Sequence, residues 1–188
     1  MKKIFITLLL ILSSITSVYA GDIFLKNEYY REGKPGFAEF VRLQTTDNAN
    51  YNRFVNGRFA YSIYVPSEFT IARFPANSAG CSFSDEYGSS FAVYGQHNVL
   101  RETIDHAYYE ALSKHPNPAV SAKGQEWFVI SYLEDGFIVY EKTFINADFI
   151  NAWSFRYPQW LGERYNPKCE VVESNFVPGW KTGYKIWG

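Results

Sequence analysis

Two cysteines, three histidines and a scatter of acids are the side chains here whose chemistry goes beyond packing. Cys81 lies in "ANSAGCSFSDEYGSS" among serines and acids, and Cys169 lies in "NPKCEVVESNF". A cysteine in such surroundings is a nucleophile, a metal ligand or half of a disulfide. In an oxidising compartment two distant cysteines most simply pair, so Cys81 and Cys169 are expected to form a disulfide. Closing a loop of roughly 90 residues would stabilise by about 4 to 5 kcal/mol in the chain-entropy model.

A nucleophilic Cys81 would need His106 as base and Asp105 as orienter. Adjacent residues on a helix point about 100° apart, so Asp105 is badly placed to orient His106. Cys169, near a helix start, has a position that would lower a thiol pKa and would serve a disulfide equally well. A zinc site would draw on His97, His106 and His115 with Glu102 or Glu110. His106 shares a helix face with both acids, yet neither HExxH nor paired cysteines accompany it, and a solvated helix flank is the expectation. No GxSxG elbow occurs, and Ser82, Ser84, Ser89 and Ser90 read as loop and strand-edge residues. Asp85-Glu86 and Glu134-Asp135 fall at turns, where acids are ordinarily solvated. No catalytic, cofactor-binding or metal-binding residue is therefore assigned, and no cofactor is expected.

The elements that would position these residues begin after "MKKIFITLLLILSSITSVYA", where two lysines precede a short apolar run and a small residue closes at Ala20. This reads as a secretory signal peptide over residues 1–20, cleaved after Ala20, with a periplasmic or secreted destination. The run is too short to span a bilayer, and no later span is expected. The whole chain of 188 residues carries a net charge of −1, becoming about −3 once Lys2 and Lys3 leave, with no concentrated basic face for nucleic acid. An aromatic share of 19% favours β structure.

Residues 21–55 are polar and weakly periodic, an expected loose N-terminal arm. In "RFAYSIYVP", Phe59, Tyr61, Ile63 and Val65 alternate onto one face and Pro66 ends the strand. "CSFS" and "SSFAVYG" predict a hairpin. Between Val99 and His115, Leu100, Ile104, Ala107, Tyr108, Ala111 and Leu112 form a helical stripe, with Asn98 placed to cap it and Pro116 and Pro118 to stop it. Asp135-Gly136 is a type I′ turn signal, and the runs around it predict a meander over 127–157. A last helix is expected from Asn166 as cap and Pro167 as its first residue. Strands, helix, meander and helix make an α+β domain over 56–179: an antiparallel sheet of about five to seven strands covered by two helices. Residues 180–188 form a tail.

The stretches "NGRFAYSIYVPSEF" (56–69), "GCSFSDEYGSSFAVYG" (80–95), "KGQEWFVISY" (123–132), "FIVYEK" (137–142), the Tyr157-Pro158 pair and "VVESNFVPG" (171–179) resemble small exported bacterial proteins of uncharacterised function with a PsbP-like domain. The resemblance spans roughly Asn56 to Gly179. Val65 stands where such sequences commonly carry an aromatic, and residues 21–55 have no counterpart. The resemblance implies a non-enzymatic binding or assembly module and transfers no functional residue.

Trp153, Phe155 and Tyr157 on one strand face, Trp160 after it, and Tyr108 and Tyr109 on the helix are expected mostly as core. Trp180, Tyr184 and Trp187 are harder to bury among Gly, Lys and Thr, and they are candidate contacts for a partner protein in the cell envelope. The expected function is that of a binding module. The alternatives are an immunity protein inhibiting a periplasm-acting toxin, or a hydrolase with an unrecognised cleft.

Overall fold

The computed structural model describes residues 19–24, 41–75, 77 and 79–179. Their elements are β1 (Tyr19–Phe24), β2 (Val41–Thr45), β3 (Tyr51–Asn56), β4 (Tyr61–Pro66), β5 (Ile71–Pro75), β6 (Gly80–Ser84) and β7 (Ser90–His97). Then follow helix α1 (Ile104–Lys114), β8 (Val120–Lys123), β9 (Trp127–Glu134), β10 (Phe137–Ile145), β11 (Phe149–Pro158), a 3-10 turn (Gln159–Leu161) and helix α2 (Gly162–Ser174). Eight strands form an antiparallel sheet in the order β1-β5-β6-β7-β11-β10-β9-β8, and β2-β3-β4 form a second sheet. The class is α+β, as the alternation of periods in the sequence requires.

Both faces of the large sheet are covered. Side chains alternate along a strand, so Trp153, Phe155 and Tyr157 of β11 share one face with Phe91 and Val93 of β7 and with Cys81 and Phe83 of β6. The small sheet and α2 close over this face with Phe54, Tyr61, Ile63, Phe69, Tyr165 and Val172. On the opposite face Phe128, Ile130, Ile145 and Ile150 pack under Ile104, Ala107 and Ala111 of α1. Gly95 lets the start of β4 in the small sheet lie close against the large one: a Cβ there would lie 2.9 Å from Tyr61 Cε1 and 2.8 Å from Phe59 Cβ.

The expected meander is β9, β10 and β11, and Asp135 (φ 51°) with Gly136 (φ 79°) makes the turn between the first two, both in the left-handed region a type I′ turn demands. The expected hairpin is β6 and β7. Both helices start elsewhere than their cap residues suggest. Thr103 caps α1, its Oγ1 accepting from His106 N at 3.2 Å. Asn98 is occupied instead in tying loops together, accepting from Glu102 N (2.7 Å) and donating to Asn146 O (2.8 Å). Helix α2 begins at Gly162, which places Pro167 inside it. Pro167 withholds one backbone bond, that to the Glu163 carbonyl, near an exposed helix start where water can serve it.

The arm expected over residues 21–55 contributes three strands. Residues 25–40 lie outside the described residues, but β2 and β3 pair along their length, and Tyr51, Phe54 and Val55 are buried. Phe54 faces the core, while Tyr51 and Val55 are buried on the other side of the strand. The expected cleavage point after Ala20 falls inside β1, beyond which Asp22, Ile23 and Phe24 pair with Arg73, Ala72 and Ile71. Residues 1–18 of the expected signal peptide lie outside the described residues.

The expected disulfide does not form: Cys81 and Cys169 are both buried free thiols. Cys81 sits opposite Val93, which sits opposite Trp153, whereas Cys169 Sγ lies 3.8 Å from the hydroxyl of Tyr157. Tyr157 is two strands over from Cys81 and four residues beyond Trp153, about 13 Å along the strand. A disulfide needs Cα atoms within about 7 Å.

Candidate functional site

The groups that a catalytic cysteine would need are split by the large sheet. Cys81 belongs to the core beneath the small sheet, while Asp105 and His106 are exposed on α1 across the opposite face. Asp105 pairs with Lys123, and His106 Nδ1 meets Glu102 Oε1 at 2.7 Å as a solvated flank pair. Burial pushes the Cys81 thiol well above its ordinary pKa and the Cys169 thiol up to about 12, so each is held as the unreactive thiol. His97 packs against the Phe59 and Phe149 rings and His115 stacks on Tyr132. Among the described residues no three His, Cys, Asp or Glu side chains gather as metal ligands.

Two exposed aromatics, Tyr87 and Trp160, meet at one end of the large sheet, while Tyr109, expected as core, is 60% exposed on α1. The β6–β7 turn, the 3-10 turn after β11 and the Asp135-Gly136 turn meet at that sheet end, because Ser84 pairs with Ser90, Ser90 with Arg156, and Phe137 with Pro158. Trp160 is 72% exposed and Tyr87 40%. Their rings meet edge to face at 6.2 Å and 89°, and the Arg164 guanidinium lies over Tyr87 at 5.2 Å. An aromatic pair of this geometry contributes about 0.5 to 1.5 kcal/mol.

The platform beneath these rings is clamped. Asp85 Oδ1 accepts from Tyr87 N (2.9 Å) and Ser89 N (2.7 Å), and Oδ2 accepts from the Tyr165 hydroxyl of α2 at 2.5 Å. Asp85 is thus buried, contrary to the solvated tip expected for the Asp85-Glu86 pair, because α2 lies against the turn. Glu68 receives Lys168 Nζ at 2.5 Å and faces Arg164 Nε at 3.7 Å. The site offers a flat indole, a phenol and a guanidinium already held in place, suited to recognising another molecule's surface.

A second polar group lies under α1. Strand register points Glu141 toward the helix-covered face, between Ile130 of β9 and Ser154 of β11, and it is 8% exposed. Burial raises its carboxyl from 4.5 to about 7, with the neighbouring Tyr132 phenol acting the other way. Tyr132 and Tyr94 are themselves raised by burial first and by the Glu141 charge next.

On the other face, Lys142 is 4% exposed, ion-paired with Glu173 of α2 and 4.0 Å from the centre of the Trp127 ring. Tyr140 donates to Glu173 Oε2 at 2.6 Å and stacks on Trp153 at 5.3 Å. This group fastens the end of α2 to the sheet.

The expected partner contacts Trp180, Tyr184 and Trp187 lie outside the described residues. Trp160, expected as core, is the exposed tryptophan among the described residues. Its sequence signal is the preceding Pro158, which ends β11 and turns the chain out of the alternation that buries Trp153, Phe155 and Tyr157. Glu141 had a signal too, an acid amid "FIVYEKTFI", a run otherwise built for burial.

No protein-family model matches the chain, and no curated protein matches it. Among solved structures the chain is similar to the solution structure of a cyanobacterial PsbP from Synechocystis sp. PCC 6803, with a TM-score of 0.44 and 8% identity, over 78% of this chain and 98% of that one. Among the described residues no helix is long and apolar enough to cross a membrane.

Proposed function

We propose that this chain is an exported, non-enzymatic binding module of the cell envelope, engaging a partner protein through the surface of Tyr87, Trp160 and Arg164. The observation that carries the reading is Trp160, 72% exposed yet held edge-on by Tyr87. Large rings left in water on a clamped platform lose little freedom when covered, and tryptophan, tyrosine and arginine dominate binding hot spots. Export is supported by the charged, apolar and small-residue pattern of residues 1–20.

The test is a paired capture from an envelope extract, using the mature chain, Trp160→Ala with Tyr87→Ala, and a chain ending at Gly179. A specific protein retained by the intact and shortened chains and lost from the double variant is the expected result. Loss on shortening alone would move the contact to residues 180–188. Equal retention by all three, or no specific protein from any, would remove the proposal.

A further inference from the structure

The loop between β7 and α1 is a tight turn with unusual side chains at its tip. Arg101 N donates to Asn98 O at 3.2 Å, closing a β-turn in which Val99 and Leu100 hold the two central positions. Such positions ordinarily go to Gly, Pro, Asn, Asp or Ser. Here Val99 is 80% exposed, the most of any large apolar side chain among the described residues, and Leu100 is 65% exposed. The turn is firmly held. Asn98, itself buried, donates its backbone N–H to Asp148 O (2.8 Å) and its Nδ2 to Asn146 O (2.8 Å) and Glu102 O (2.9 Å), while its Oδ1 accepts from Glu102 N (2.7 Å). Arg101 donates to the Ala147 carbonyl at 3.1 Å and holds φ at 53°, a backbone region that side chains disfavour. Two aliphatic side chains are thus lifted into water on a turn tied to the β10–β11 turn beside it, so little freedom remains to be lost when they are covered.

The same end of the sheet releases the rest of the chain. Gly179 N donates to Asn151 Oδ1 at 3.0 Å, and Asn151 lies opposite Gly95, two residues before the end of β7. Residues 180–188, outside the described residues, read "WKTGYKIWG": two lysines, no acid, and the large apolar side chains Trp180, Tyr184, Ile186 and Trp187. Nine residues reach roughly 30 Å. The Val99-Leu100 tip lies only about 13 Å beyond Gly95 along the strand direction.

We propose that this end of the sheet seats on an anionic lipid surface, with Val99 and Leu100 entering the acyl boundary and residues 180–188 meeting the headgroups. Leucine and valine are under-represented in protein–protein hot spots, and a projecting two-residue tip offers a protein little area. A lipid interface takes aliphatic tips into its apolar layer, tryptophan and tyrosine at headgroup level, and lysine against phosphate. The folded end carries acids as well, Glu102, paired with His106 at 2.7 Å, and Asp148. Attraction to anionic headgroups therefore comes from Lys181 and Lys185 with Arg101, while the turn supplies insertion. The Tyr87–Trp160 platform lies at the other end of β7, about 25 Å away, and faces away from a surface seated here. Neither contact rests on the other.

The test is co-sedimentation of the mature chain with vesicles of phosphatidylethanolamine and phosphatidylglycerol, against vesicles of phosphatidylcholine alone. The anionic vesicles should retain the chain and the neutral ones should retain it more weakly. Val99→Ser with Leu100→Ser should lower the partition coefficient by about tenfold or more. A chain ending at Gly179 should lose about tenfold at low salt, from its two lysines alone. Tyr87→Ala with Trp160→Ala should change nothing. No binding by the mature chain, equal binding to both vesicles, indifference to Val99 and Leu100, or loss in the Tyr87 and Trp160 variant would each overturn the proposal. So would capture of a protein through Val99 and Leu100 without lipid binding. If the double serine variant fails to fold, an environment-sensitive dye on Leu100→Cys decides, since Cys81 and Cys169 are buried and do not compete for it. Its emission should shift to the blue on anionic vesicles while the same dye on Trp160→Cys does not, and no shift at position 100 overturns the proposal.

Discussion

Replacing Glu141 by Gln should remove a pH dependence from the global stability of the protein. The carboxyl is raised from 4.5 to about 7 in the folded chain, so between those values the native state keeps a proton that the unfolded state has released. Stability contributed by this group is therefore present in full below about pH 4.5 and falls as pH rises toward 7. At about 1.4 kcal/mol per unit the loss is about 3 kcal/mol, flat above pH 8. Gln is neutral in both states, but its amide N–H groups cost about 1 to 3 kcal/mol if unpaired. The offset between the two proteins is consequently small, and the slope is decisive. Urea unfolding at half-unit steps from pH 4.5 to 8.5 gives the difference in stability between the two chains, in which other carboxylates and His115 cancel. The difference should move by about 3 kcal/mol in favour of the variant as pH rises. Parallel curves would refute the burial argument for Glu141.

Three further outcomes are expected. Cys81 and Cys169 should resist alkylation in the native protein and both react once it is denatured without reductant, and a mass that rises on reduction would contradict their placement. Gly95→Ala should destabilise by about 1 to 3 kcal/mol in chemical denaturation, since its Cβ would press on Phe59, Tyr61 and Asn151 between the two sheets. Glu173→Ala should cost about 2 to 4 kcal/mol by stranding Lys142 in the core, an effect that a second change, Lys142→Met, should largely restore in the same assay.

The meander, the β6–β7 hairpin and both helices were legible because each is written in a local period or a turn dipeptide. Strands β2, β3, β5 and β8 were not, since polar or charged residues lie among their few apolar ones, and all four residues of β8 are exposed. Strand β3 shows the limit well: "YNRFVN" carries two asparagines and an arginine, and only the sheet beneath it explains why Phe54 turns inward. The small sheet follows from the same blindness, because pairing between 41–45, 51–56 and 61–66 is a tertiary fact. At the candidate sites, Glu141 and Asp85 misled because an acid's burial depends on which helix comes to rest on it. Trp160 misled because its strand ends two residues earlier, and the alternation that buries its neighbours cannot be extended across Pro158.

The cysteines carry the same lesson into energetics. Compartment logic expects one covalent staple between β6 and α2, worth about 4 to 5 kcal/mol. In its place α2 is held by bonds distributed along its length: Tyr165 to Asp85, the Asn166 side-chain Oδ1 accepting from the Tyr157 hydroxyl at 2.7 Å, Lys168 to Glu68, and Glu173 to Lys142 and Tyr140. Such tethers answer to acid and salt where a disulfide answers to thiols. The melting temperature should therefore be the same with and without excess reductant, whereas the loss of a bond of 4 to 5 kcal/mol would lower it by roughly 10 °C or more for a domain of this size. A fall on that scale would mean that Cys81 and Cys169 come within bonding distance after all, and that the strand register separating them is wrong.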